Sequence, residues 1–116
     1  MIDLSFGKER RIRKKRDFDE IYRKGRRIRE GFLTAICLWK GEGPSRLGIS
    51  VSGKVKGSVV RNRVRRLIRE AFRLNREVIG EGWDVVISAF PGVEDAGFWE
   101  IQDRVIGLLR RAGIIR

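Results

Sequence analysis

The stretch Val60-Arg61-Asn62-Arg63-Val64-Arg65-Arg66-Leu67-Ile68-Arg69-Glu70-Ala71-Phe72-Arg73-Leu74-Asn75-Arg76 decides how this chain is read. At helical periodicity Val60, Val64, Leu67, Ala71 and Leu74 fall within an arc of about 80°, a stripe fit to face a core. Asn62, Arg65, Arg66, Arg69, Arg73 and Arg76 fall within about 100° on the opposite side, and Arg61 and Arg63 flank the stripe. Like charges at i,i+4 repel, and an ordinary solvated face alternates its signs. A face of arginines relieved only by Glu70 therefore suits a helix that tracks phosphates.

Outward from this helix, which the pattern extends over 58–75, the elements alternate in type. Leu47-Gly48-Ile49-Ser50-Val51-Ser52 alternates with period two, and 32–39 is rich in strand formers. The turn-forming cluster Lys40-Gly41-Glu42-Gly43-Pro44-Ser45 between them predicts a hairpin. A first helix is expected over 17–24, carrying Phe18, Ile21 and Tyr22 and stopping at Gly25. A buried strand is expected over 84–90, then a closing amphipathic helix over 98–112. Strand, long helix, strand defaults to a right-handed parallel crossover.

The chain has 116 residues, enough for one core, and 41% hydrophobic residues suit a folded domain. Its net charge of +12 opposes folding by self-repulsion, and an anionic partner explains it. The excess sits in two blocks, 8–29 and 54–76, while 80–116 is slightly acidic. Arginine, 20 of the 27 cations, forks phosphates and stacks on bases. Histidine is absent, which removes the commonest general base and metal ligand. A single cysteine, Cys37, excludes an internal disulfide and fits a reducing compartment. The start, MIDLSFGKERR, has no apolar stretch of signal-peptide length, and no apolar run reaches bilayer length, so a soluble cytoplasmic protein is expected with no membrane partner.

The segment 61–72 closely resembles the arginine-asparagine-arginine signature of the bacterial ribonuclease P protein component. Arg46–Ser52 is similar to the strand that this family places before its basic helix. Arg16–Gly25 is similar to its first helix, and Gly82–Val86 to the strand that follows the basic helix. The resemblance implies an α+β fold, an α/β sandwich in which a four-stranded mixed sheet packs with three helices. It also implies the rare left-handed crossover around the basic helix. The function implied is that of the small subunit of a ribonucleoprotein whose RNA removes the 5′ leader of precursor tRNA with Mg²⁺, the protein holding no metal site and no catalytic residue. Its partners would be that catalytic RNA, one protein monomer per RNA, and precursor tRNA.

By the same resemblance Arg61, Asn62, Arg63, Arg65 and Arg69 should contact RNA. Arg66 and Arg73 join them on the helix face, and Lys54 and Lys56 lie on the loop entering it. Phe18 and Tyr22 match aromatic positions of a cleft for the single-stranded leader, with Arg16 beside them, although on composition alone rings at i,i+4 are more often core packing than base platforms. The family often has a further cleft-facing aromatic on the first strand. Ala35 stands near that place, and Phe32 is the substitute at hand. Asp17, Asp19 and Glu20 suit a helix start, or a water-mediated Mg²⁺. The charge alone also fits a structural RNA-binding protein. A self-sufficient nuclease would need a histidine or a convergent carboxylate set. The whole chain, 1–116, is expected to be one RNA-binding domain with 1–7 a flexible tail.

Overall fold

The computed structural model describes residues 10–115; the tail expected over 1–7 lies outside the described residues. The elements are α1 (Lys15–Lys24), β1 (Arg26–Glu30), β2 (Leu33–Trp39), β3 (Arg46–Val51), α2 (Ser58–Leu74), β4 (Trp83–Ala89) and α3 (Phe98–Arg111). The sheet order is β1-β2-β4-β3, with β3 parallel to β4 and the other pairs antiparallel. This is the α+β arrangement of three helices on a four-stranded mixed sheet that the resemblance implies.

One expectation is corrected by the sheet. The strands 33–39 and 46–51 do not form a hairpin, because β4 pairs with both and lies between them. The hairpin is β1–β2, closed by the two-residue turn Gly31-Phe32, where Gly31 takes φ 59° as glycine-first hairpin turns require. β1, whose sequence is RRIRE, has no strand signature in the sequence, because only Ile28 is buried and no apolar alternation marks it.

The sheet is covered on both faces, which is why β2 and β4 read as nearly continuous apolar runs. Leu33, Ala35, Cys37, Val85, Ile87 and Ala89 join the larger core shared with α2 and α3. Ile36 and Val86 point the other way and meet Ile12, Ile21, Phe18 and Leu38 beneath α1. Burial pushes the Cys37 thiol up to about 12, so it stays a neutral apolar filler.

α2 is turned from its expected orientation. Val64, Ile68, Ala71 and Phe72 are buried, Val60 and Leu67 are partly covered, and Leu74 is 48% exposed. The buried stripe is thus rotated by about 60° towards Ile68 and Phe72. The physical reason is that α2 packs on two neighbours, β3 and α3, and needs a wider apolar arc than a single stripe. That rotation carries Arg65 and Arg69 from the solvent side to the border of the core.

At the lower end of the sheet Asp84 is buried and holds Arg46 by two hydrogen bonds, at 2.9 and 2.7 Å, with Lys40 at 3.4 Å. Burial alone would raise the Asp84 carboxyl, but Arg46 and Lys40 outweigh it and hold it below the usual carboxylate value. A carboxyl lowered by folding stabilises the protein above its unfolded value, about 3.9, and loses that contribution as pH falls through the folded value. Thermal melts from neutral to acid pH should therefore show Asp84→Asn less stable at pH 7 and flatter on the acid side than the parent. Parallel acid limbs would contradict this role.

Candidate nucleic-acid interface

The expected RNA-binding residues separate into three structural groups. The first faces a pocket. Ile12 donates its backbone N–H to Leu47 O at 2.9 Å, laying the segment before α1 along the open edge of β3. Arg11 and Arg13 thereby arrive opposite α2, and with Arg65 and Arg69 they surround an open cavity of about 230 Å³. Ile12, Phe18, Leu47 and Ile49 line it too, and among the described residues no acidic side chain does. Arg69 carries the strain of this crowding: burial, then Arg11 and Arg65, make its guanidinium easier to deprotonate than usual. Such a pocket has donors on its walls and apolar surface between them, the features that a phosphate joined to a base would use. Periodicity could not reveal Arg11 and Arg13, because a strand-edge contact brings them there.

The second group is exposed. Asn62, Arg66, Lys54 and Lys56 lie open on α2 and the loop before it. Asn62 accepts a hydrogen bond from Arg65 at 3.1 Å and so orients one wall of the pocket. Arg73 is paired with Glu70 one turn earlier.

The third group binds its own chain. Arg61 donates to Val55 O at 2.9 Å and fixes the β3–α2 loop. Arg63 donates to Glu94 O at 3.2 Å and Ala96 O at 2.7 Å, tying α2 to the loop before α3.

Phe18 and Tyr22 share one face of α1, with ring centroids 6.3 Å apart and planes inclined by 30°. They are not equivalent. Phe18 is partly buried over Gly48, where a Cβ would meet two of its ring atoms at 2.8 Å, so glycine is the floor that lets the ring lie down. Tyr22 is 40% exposed. Phe18 packs against the core beneath α1 and edges the pocket, whereas the Tyr22 ring is open to solvent. Arg16 is exposed but stands apart, lining a separate pocket with Lys14, Asp17, Lys40 and Asp84.

No first-strand aromatic joins them. Ala35 belongs to the core on the opposite face of β2, and the Phe32 ring lies 4.4 Å from the Arg104 guanidinium of α3. Among the acids near α1, Asp19 pairs with Lys15 at 3.5 Å and Asp17 lies 3.7 Å from Arg46. Among the described residues no three metal-ligating side chains converge, and no helix is long and apolar enough to cross a membrane.

Comparison with known proteins bears on this geometry. The family model described as Ribonuclease P matches residues 6–113. The ribonuclease P protein component of Dictyoglomus thermophilum is 38% identical over 115 residues, spanning 97% of this chain and 96% of the relative. That of Clostridium novyi is 42% identical over 109 residues, spanning 92% and 96%. The structure of the Staphylococcus aureus RNase P protein superposes with a TM-score of 0.85 at 32% identity, over 94% of this chain and all of that one. The Thermotoga maritima RNase P protein gives 0.80 at 31% identity, over 87% and 96%.

Proposed function

Since the chain belongs to the ribonuclease P protein family, we propose that it binds a catalytic RNA and the 5′ leader of precursor tRNA, and that the RNA performs the cleavage. The single observation that carries this reading is the pocket where four arginines surround Phe18 with no acid among the described residues that line it. A leader phosphate entering it would accept hydrogen bonds from Arg65 and Arg69 on one side and Arg11 and Arg13 on the other. The next base would meet the exposed Tyr22 ring, and stacking accepts any base, as leaders of varied sequence require. Asn62 and Arg66, further round α2, face outward to the catalytic RNA with Lys54 and Lys56.

The protein contributes position and charge. Among the described residues its pocket offers no carboxylate or imidazole to move a proton, and of the acids on α1 Asp19 faces Lys15 and Asp17 faces Arg46. Among the described residues no three ligating side chains converge on a metal, and the Mg²⁺ of the reaction is assigned to RNA phosphates. One protein monomer per RNA, working in the cytoplasm, completes the reading.

Tyr22→Leu tests the leader contact, because it removes the flat ring and keeps apolar volume. In the reconstituted holoenzyme the ratio of precursor to mature tRNA affinity should fall by about 5- to 150-fold, the equivalent of one stacked base at about 1–3 kcal/mol. The melting temperature should not change. An unchanged ratio would remove Tyr22 from the leader path. Phe18→Leu, in contrast, should lower both ratio and melting temperature, since Phe18 also fills the core beneath α1.

A further inference from the structure

The opposite edge of the sheet carries a second concentration of charge that the pocket does not use. Arg23 and Lys24 end α1, Arg26 and Arg27 begin β1, and Gly25 alone separates the pairs. Gly25 permits this: a Cβ there would lie 2.6 Å from Ile21 O and 2.7 Å from the Ile36 side chain, so only glycine lets the chain pass this tightly. All four cations are exposed, and none has an ion pair or hydrogen bond with a described acid. Arg110 adds a further exposed cation at the end of α3, on the other layer. Beside it Arg111 bonds Glu30 and the Arg29 carbonyl, both at or near the end of β1, which fixes α3 against this edge.

Two ordinary explanations account for part of this. Cations in a last helical turn complement the helix dipole, and charge on an edge strand discourages unwanted pairing. Neither calls for four cations in five residues with no acid between them, two ending α1 and two opening β1. The strand order puts β1 three spacings from β3, about 14 Å across the sheet. The pocket, built on β3 and α2, and this edge are therefore separate surfaces.

We infer that the β1 edge, centred on Arg26 and Arg27, binds the phosphate backbone of one RNA segment while the α2 side of the molecule, the Arg65–Arg69 pocket with its adjoining outer face, holds another, so that the protein bridges two short strands. Adjacent strand residues project to opposite faces, so Arg26 and Arg27 straddle the edge and would grip a backbone running along it from both sides. The inference rests on the RNA-binding role proposed above.

Its test uses the full-length chain with two short single-stranded RNAs, one carrying a fluorescence donor and the other an acceptor, and light scattering in the same buffer. The parent should give energy transfer as a monomer. Arg26→Gln with Arg27→Gln should abolish transfer, keep one strand bound, and make the slope of log K against log[salt] at the edge vanish from the total, a loss of about 1.4 for two single-strand contacts. A parent that binds one strand only, transfer confined to a dimer, or a double variant that transfers like the parent would overturn the inference. Arg65→Gln with Arg69→Gln keeps the two readings apart. If that pair retains both strands, the pocket reading fails and the edge stands; if it retains one strand, lost on adding the edge substitutions, both stand.

Discussion

Replacing Arg65 and Arg69 together by alanine should weaken binding of the precursor's 5′ leader by about 10²- to 10⁴-fold while the domain stays folded. Charged hydrogen bonds contribute about 1.5–3 kcal/mol each, and both guanidinium groups face the same arginine-lined pocket. The salt dependence should change in parallel. Losing two phosphate contacts makes the slope of log K against log[salt] shallower by about 1.4 to 1.8, the lower figure for a single strand and the upper for a duplex. The melting temperature of the free protein should hold or rise, because Arg69 is crowded by Arg11 and Arg65 when no anion is bound. Sulfate or phosphate should raise the melting temperature of the parent more than that of the variant, as ligands of the folded state do. An unchanged salt slope would show that these arginines do not meet phosphate.

Phe72→Ala should destabilise the fold by about 3–5 kcal/mol, the ordinary cost of removing a buried aromatic. Phe72 is almost fully buried between α2 and its neighbours, in the same core as Ile68 and Val85. Leu74→Ala, two residues on, should change stability by about 0.5 kcal/mol or less, since that side chain is half in solvent. Equilibrium unfolding in urea separates the two. The contrast fixes the rotation of α2, on which the placement of Arg65 and Arg69 depends. Equal costs, or a larger one at Leu74, would return α2 to its sequence-expected orientation and take the arginines away from Phe18.

That rotation shows where periodicity stops. The pattern locates α2 to within a residue, because an apolar repeat over 58–75 has one helical solution. It does not tell which part of a broad apolar arc meets the sheet. Val60, Leu67 and Leu74 compete with Ile68 and Phe72 for that place, and β3 and α3 together decide it. β2, β3 and β4 are legible for a similar reason, as alternating or continuous apolar runs. Their pairing is not, because the Gly- and Pro-containing turn over 40–45 looks like a hairpin while a strand more than thirty residues later takes the position between them. β1 is silent: its charges are its surface, and its single inward residue makes no pattern.

The site follows the same division. The arginine-asparagine-arginine segment is visible in the sequence, yet its members do different work. Arg61 and Arg63 turn to carbonyls of two loops, Val55 on one side and Glu94 and Ala96 on the other, and the latter lie some thirty residues away. Arg11 and Arg13 reach the pocket through one strand-edge hydrogen bond, a contact with no local signature. Phe18 and Tyr22 are on one face, as their spacing requires, but only Gly48 beneath them explains why one ring packs and the other stays open.

The central claim is that this protein acts by positioning RNA and leaves the chemistry to it. The direct measurement is cleavage of a precursor tRNA by a bacterial ribonuclease P RNA at low Mg²⁺, with and without the purified, rigorously RNA-free chain. The account predicts leader removal at the mature 5′ end with RNA and protein together, little with the RNA alone at that Mg²⁺, and none with the protein alone. Cleavage at the mature 5′ end by the RNA-free protein would contradict it.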